Sequence, residues 1–221
     1  PAIIINPRGR MDEEFGTPEE KIEPAPREWE ACMTFNGLSW GYIDSEQALP
    51  YSYNAQQILR MLARVTSGGG NLLLNVGPTP DGSVPQEAFT PMRTVGAWLN
   101  KYGECMYGHK ESNSFTSNRL CSISLDGNTA YVWNWIWPRT GELVLGGFQT
   151  KLKSARLLGG TAVDFTQDTR RIVLRGLPDR SPDETAGVAV FALEFEKPPV
   201  CVRASAYPAL NGGQTFLPSF E

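Results

Sequence analysis

Histidine is nearly absent from this sequence, with His109 the only one in 221 residues, and the four cysteines Cys32, Cys105, Cys121 and Cys201 lie far apart without a CxxC pair. A zinc cluster of ordinary Cys and His spacing therefore has no ligand set, and no metal is expected. Isolated thiols of this kind ordinarily behave as small buried side chains. Long apolar runs are missing too, since nothing approaches the roughly 18 consecutive apolar residues of a membrane span. A basic stripe is also lacking. The 20 Lys and Arg residues are scattered among 24 Asp and Glu, for a net charge of −4, so no surface is set up to neutralise phosphates. Neither nucleic acid nor membrane is an expected partner. Finally, the chain opens on Pro1 rather than Met, and Ala2 to Asn6 already reads as the interior of a strand. A preceding segment is expected, and any secretion signal would lie there.

What is present is the composition of an ordinary globular protein, 41% hydrophobic and 20% charged, long enough for one or two domains. Ala2-Ile3-Ile4-Ile5-Asn6 is a β-branched run suited to a strand covered on both faces. The Glu-, Pro- and Gly-rich stretch from Pro7 to Arg27 reads as a loop, and loops of about twenty residues in compact domains usually carry function. A second strand is expected over Trp29 to Phe35. From Asn54 to Ser67 the residues Ile58, Leu59, Leu62 and Val65 fall on one helical stripe, with Asn54 as N-cap and Gly68-Gly69-Gly70 as the stop. Leu72 to Val76 is another buried strand. A second helix runs from about Gln86 to Tyr102 with Met92, Val95, Trp98 and Leu99 on one face, and Pro91 is expected to kink or restart it at a Thr90 cap. Strand, helix, strand, helix is the rhythm of a parallel β/α architecture.

After about Tyr107 that rhythm stops. Leu120 to Leu125, Thr129 to Trp135, Glu142 to Leu145, Lys153 to Leu158, Arg171 to Leu174 and Gly187 to Phe195 are short β-rich segments separated by turn residues. They predict an antiparallel sandwich or barrel. The expected organisation is an α/β unit over residues 1–107, an all-β unit over 108–196 and, over 197–221, a linker or the start of a further region.

Polar residues at strand ends of a (β/α)8 barrel face its active site, which makes Asn6, Arg8 and Asn75 candidates for substrate contact. More specific are whole phrases: Ile5-Asn6-Pro7-Arg8, Phe15-Gly16-Thr17-Pro18-Glu19, Trp29 to Thr34, Ser39-Trp40-Gly41-Tyr42, and Gly69 to Pro78. In this order and spacing the chain resembles the α-L-fucosidases of glycoside hydrolase family 29, strongly from Ile5 to about Tyr107 and by strand pattern alone to about Glu196. The resemblance implies the C-terminal part of a catalytic (β/α)8 barrel followed by an antiparallel β-sandwich. It implies retaining hydrolysis of terminal α-L-fucosyl linkages in glycans, without metal or organic cofactor. It further implies Glu19 as acid/base, Arg8 binding sugar hydroxyls and Trp40 against the apolar C6 methyl face. The nucleophile, an aspartate on an earlier barrel strand, does not fall within these 221 residues. A secreted, periplasmic or lysosomal compartment is favoured over the cytoplasm.

Each of these residues has a plainer reading. Glu19 sits in an acidic run (Asp12, Glu13, Glu14, Glu19, Glu20, Glu23) that by itself reads as a solvated loop, and Glu20 is the rival acid/base. Arg8 can cap a strand end or pair with the acidic loop. Trp40 can be a core aromatic, although Gly41 beside it opens space for stacking. Asn71 and Asn75 read as fixing backbone turns, and His109 as no metal ligand. The alternative functions are a non-catalytic carbohydrate-binding or structural module, and a truncated product that self-associates through an open barrel edge.

Overall fold

The computed structural model describes residues 15–23, 28–107 and 121–200, of which 121–126 are described by backbone alone. The expected strand Ala2 to Asn6, Arg8, His109, the expected boundary near Gly108, the Cys201 thiol and residues 201–221 lie outside the described residues.

Two strands, β1 (Glu30–Thr34) and β2 (Asn71–Asn75), pair in parallel with Glu30 opposite Asn71 and Thr34 opposite Asn75. Between them run a short helix α1 (Ser45–Ala48), a 3₁₀ turn (Leu49–Tyr51) and α2 (Ala55–Ser67). The start of α2 is fixed by a reciprocal cap: Asn54 Oδ1 accepts from the Gln57 N–H at 2.9 Å and Gln57 Oε1 accepts from the Asn54 N–H at 2.9 Å, so two otherwise orphaned donors are satisfied. Ile58, Leu59, Met61, Ala63 and Val65 are buried on the helix, while the predicted stripe residue Leu62 is partly buried. Gly70 must be glycine because a methyl there would overlap the Trp29 indole, whose Nε1 donates to the Gly68 carbonyl at 2.9 Å.

After β2 comes α3 (Gln86–Tyr102), unbroken across Pro91. The expected restart at Thr90 does not occur. Pro91 sits early in the helix and removes a single N–H, whereas burial of Ala88, Val95, Trp98 and Tyr102 acts along its length. The predicted face is also shifted, since Met92 is 41% exposed.

A third parallel segment borders β1 on the side away from β2. Gly16 bridges Trp29 and Glu19 bridges Cys32, both in parallel. The Cys32 N–H donates to the Pro18 carbonyl at 2.9 Å and the Glu20 N–H to the Cys32 carbonyl at 2.8 Å. This corrects the reading of Pro7 to Arg27 as loop throughout. Proline disguised the segment, yet a sheet edge tolerates it, and Pro18 uses only its carbonyl.

Residues 121–195 contribute two antiparallel sheets packed face to face. Strands β3 (Cys121–Asp126), β4 (Thr129–Asn134), β9 (Ala189–Phe195) and β6 (Leu152–Leu157) make one, in the order β3-β4-β9-β6. Strands β5 (Leu143–Gly146), β8 (Arg171–Arg175) and β7 (Asp164–Gln167) make the other, in the order β5-β8-β7. Val132, Leu145, Leu157, Ile172, Leu174, Phe191 and Leu193 fill the space between them, the arrangement of a β-sandwich. The sequence reading missed β7, whose residues Asp164-Phe165-Thr166-Gln167 include none that is fully buried. Lys197 to Val200 do not start as a free linker: the Val200 N–H donates to Thr150 Oγ1 at 2.9 Å and the Gln149 N–H to the Val200 carbonyl at 3.0 Å.

Candidate functional site

Alternation along the paired strands sorts their side chains into two faces. Ala31, Met33, Leu72 and Leu74 belong to the core shared with α2 and α3. Their neighbours Cys32, Thr34, Leu73 and Asn75 therefore occupy the opposite face, and Leu73, 41% exposed, shows that β2 is not apolar-covered on both sides as its sequence predicts. Residues paired across a parallel ladder share a face, so Glu19, paired with Cys32, also lies on this face, which is opposite α2 and α3 and helix-free among the described residues.

Glu20 does something different. It takes φ of 55°, the one described non-glycine residue in the left-handed region, a conformation that costs roughly 1 kcal/mol or more in an L-residue. The turn ends the ladder, and in its place the Glu20 carboxylate accepts the Thr34 N–H at 2.9 Å. Two consecutive carboxylates are thereby given different positions: Glu20 caps β1, and Glu19 lies in register with Cys32. Thr34 is 3% exposed, and its hydroxyl has no hydrogen-bond partner among the described residues, an uncommon state for a buried polar group.

The loop that follows β1 carries Trp40. Its first turn is built by Asn36, whose Oδ1 accepts from the Leu38 N–H at 2.9 Å and the Ser39 N–H at 3.3 Å, and by Ser39 Oγ, which accepts from the Gly41 N–H at 3.1 Å. Trp40 is 42% exposed and Tyr42 40%, so Trp40 is not a core aromatic. Asn75, at the end of β2, donates from Nδ2 to the Trp40 carbonyl at 2.9 Å. Its role as a backbone-fixing residue holds, though the backbone it fixes belongs to the neighbouring loop.

Tyr53, which sequence reasoning passed over, closes the same strand end. Its ring packs edge-on to Phe35 at 6.2 Å, and its N–H donates to the Phe35 carbonyl at 3.2 Å. Burial, and secondarily the negative charge of Glu20, push its phenol above the ordinary tyrosine value. Tyr53 also borders a groove of about 490 Å3 between α1 and the start of α3, lined further by Leu49, Gln86, Glu87 and Pro91. No local sequence signal marks Tyr53 or the Glu20 cap, since each depends on a partner from another strand or loop.

Comparison with known proteins gives this strand end a context. A family profile described as α-L-fucosidase matches residues 3–104. The human plasma α-L-fucosidase is 31% identical over 139 residues, which is 60% of this chain and 30% of that protein. The human tissue α-L-fucosidase is 32% identical over 132 residues, 58% of this chain and 28% of that protein. Among solved structures, α-L-fucosidase isoenzyme 1 of Paenibacillus thiaminolyticus superposes with a TM-score of 0.72 at 27% identity, covering 83% of this chain and 45% of that one. The chain thus spans about a third of the length of the curated relatives it matches.

Proposed function

Because residues 3–104 of this chain belong to the α-L-fucosidase family, we propose that it forms the C-terminal part of the enzyme's catalytic (β/α)8 barrel and the β-sandwich that follows. The activity is hydrolysis of terminal α-L-fucosyl linkages in glycans with net retention. Two carboxyl groups about 5 to 5.5 Å apart serve such a reaction. An aspartate outside these 221 residues attacks the anomeric carbon, and Glu19 protonates the leaving oxygen, then takes a proton from the water that releases fucose. Arg8 binds sugar hydroxyls, and Trp40 offers its ring to the apolar face of fucose.

The observation that supports this assignment is the separation of Glu19 from Glu20. A general acid must present its carboxyl on the face where substrate binds, and Glu19 shares the helix-free face with Cys32. Glu20 holds the Thr34 N–H instead. Trp40 fits its role by being exposed on a strand-end loop.

The test is Glu19→Ala in the full-length polypeptide. Hydrolysis of fucosides with poor leaving groups should fall by about 10² to 10⁴-fold, the usual worth of acid–base catalysis. Activated aryl fucosides should suffer much less, and azide should restore turnover by attacking the covalent intermediate, with formation of α-fucosyl azide. Equal losses on both substrate types move the role to another residue, and fucose binding without any turnover by the unmodified protein turns the reading into a binding module.

A further inference from the structure

From the contacts between the two strand-end loops we infer that Asn75 is a positioning residue for Trp40, setting the platform's orientation before sugar arrives. The inference rests on the reading of Trp40 as a sugar-binding residue. Its physical basis is local. The carbonyl that Asn75 Nδ2 holds, at 2.9 Å, is that of Trp40 itself, so the bond fixes the plane of the Trp40–Gly41 peptide and with it the direction in which the Trp40 side chain leaves the backbone.

A second contact acts on the next peptide, Gly41–Tyr42, from just beyond the end of β2. Gly77, two residues beyond Asn75, lies so close to Gly41 that a methyl group at Gly77 would overlap the Gly41 carbonyl and stand 2.6 Å from the Tyr42 nitrogen. Asn75 draws the loop toward β2, and the bare Gly77 lets it come close. Asn75 is itself anchored, since it is the register partner of Thr34 and its carbonyl accepts the Phe35 N–H at 2.9 Å. The loop's internal bonds, from Asn36 and Ser39, shape the turn but reach only residues within it. The Gly37 N–H ties the start of the loop to the Thr34 carbonyl at 3.1 Å, and at the Trp40 end the orientation relative to the sheet is set by Asn75 and Gly77.

Holding an exposed aromatic side chain in its binding direction lowers the ordering cost of ligand capture, an effect of about three- to tenfold in affinity. Asn75→Asp keeps the side chain's size but replaces the donor with an oxygen facing the Trp40 carbonyl. In the full-length polypeptide it should weaken a fucose-shaped iminosugar and raise KM by about three- to tenfold with kcat within about twofold. Asn75→Gln, which retains an amide donor, should recover part of that loss. In a Trp40→Ala background Asn75→Asp should cost nothing more.

Hydrogen exchange supplies a readout that needs no sugar. The segment 36–43 should exchange faster in Asn75→Asp while α2 and α3 keep their protection. Should the aspartate variant fail to fold, Asn75→Ser, which withdraws the donor without adding charge, carries the same expectations. Unchanged exchange in segment 36–43, or losses from Asn75→Asp and Trp40→Ala that simply add, overturns the inference. Faster loop exchange in a protein that binds no iminosugar keeps the clamp and removes the fucosidase reading.

Discussion

Glu19 and Glu20 are chemically identical neighbours whose roles diverge at one backbone torsion. An extended residue at position 20 would continue the ladder along β1; the φ of 55° stops it and brings the Glu20 carboxylate to the Thr34 N–H. Glu20→Ala leaves that N–H without its partner, at a cost of about 1 to 3 kcal/mol if the gap is not filled by water. A lower melting temperature should result and, in the full-length polypeptide, far less loss of the proposed fucosidase activity than Glu19→Ala produces. A comparable loss of activity would exchange the two assignments. The same substitution should bring the Tyr53 phenol part of the way down, because its first cause, burial, persists and only the charge of Glu20 is removed. Folding raises this pKa, so the stability it carries is intact below the ordinary tyrosine range and is lost as pH rises through the raised value. Alkaline unfolding of Glu20→Ala, followed beside an NMR titration of Tyr53, should show a smaller contribution from this residue.

At the scale of elements, helix α2 is the piece on which the strand end is built. It starts at Asn54, next to Tyr53, and its buried stripe backs β1 and β2. Both halves of the capping pair are within the helix's first turn, and Asn54→Ala should cost about 0.5 to 2 kcal/mol, read as a shift of the denaturation midpoint at constant m. The cap was legible in the sequence because it depends on residues three apart. The opposite holds for the segment at residues 16–20, where glycine and proline hide a ladder whose backbone hydrogen bonds go to Glu28, Glu30 and Cys32. Helix α3 shows why a local rule can fail: Pro91 removes one hydrogen bond, while Trp98 anchors the helix to Trp133 and Val188, far along the chain.

Across the whole molecule, one apolar core joins the helices to the sandwich. Trp98 of α3 stacks on Trp133 of β4 at 5.0 Å, Trp133 on Trp135 at 5.8 Å, and the Arg60 guanidinium of α2 covers Trp135 at 5.5 Å. Trp98 Nε1 donates to the Val188 carbonyl at 2.9 Å, and at the edge of the contact Glu104 receives both Tyr131 and Arg156. Trp133→Ala should remove about 3 to 5 kcal/mol and divide a single unfolding transition into two, seen by calorimetry. A single transition with a small shift would mean that the two regions do not share their stability through this stack.

Periodicity and turn chemistry determined the limits of α2 and the places of most sandwich strands, β7 excepted, because each is set by residues a few positions apart. The family phrases singled out Glu19, Arg8 and Trp40. Tertiary structure alone decided which of Glu19 and Glu20 caps β1, that Leu73 and Asn75 occupy the helix-free face, and that Asn75 holds Trp40 rather than its own turn. The reason is physical: a backbone N–H or carbonyl supplied by another strand has no sequence signature of its own, so the side chain that will satisfy it is known only once the strands lie side by side.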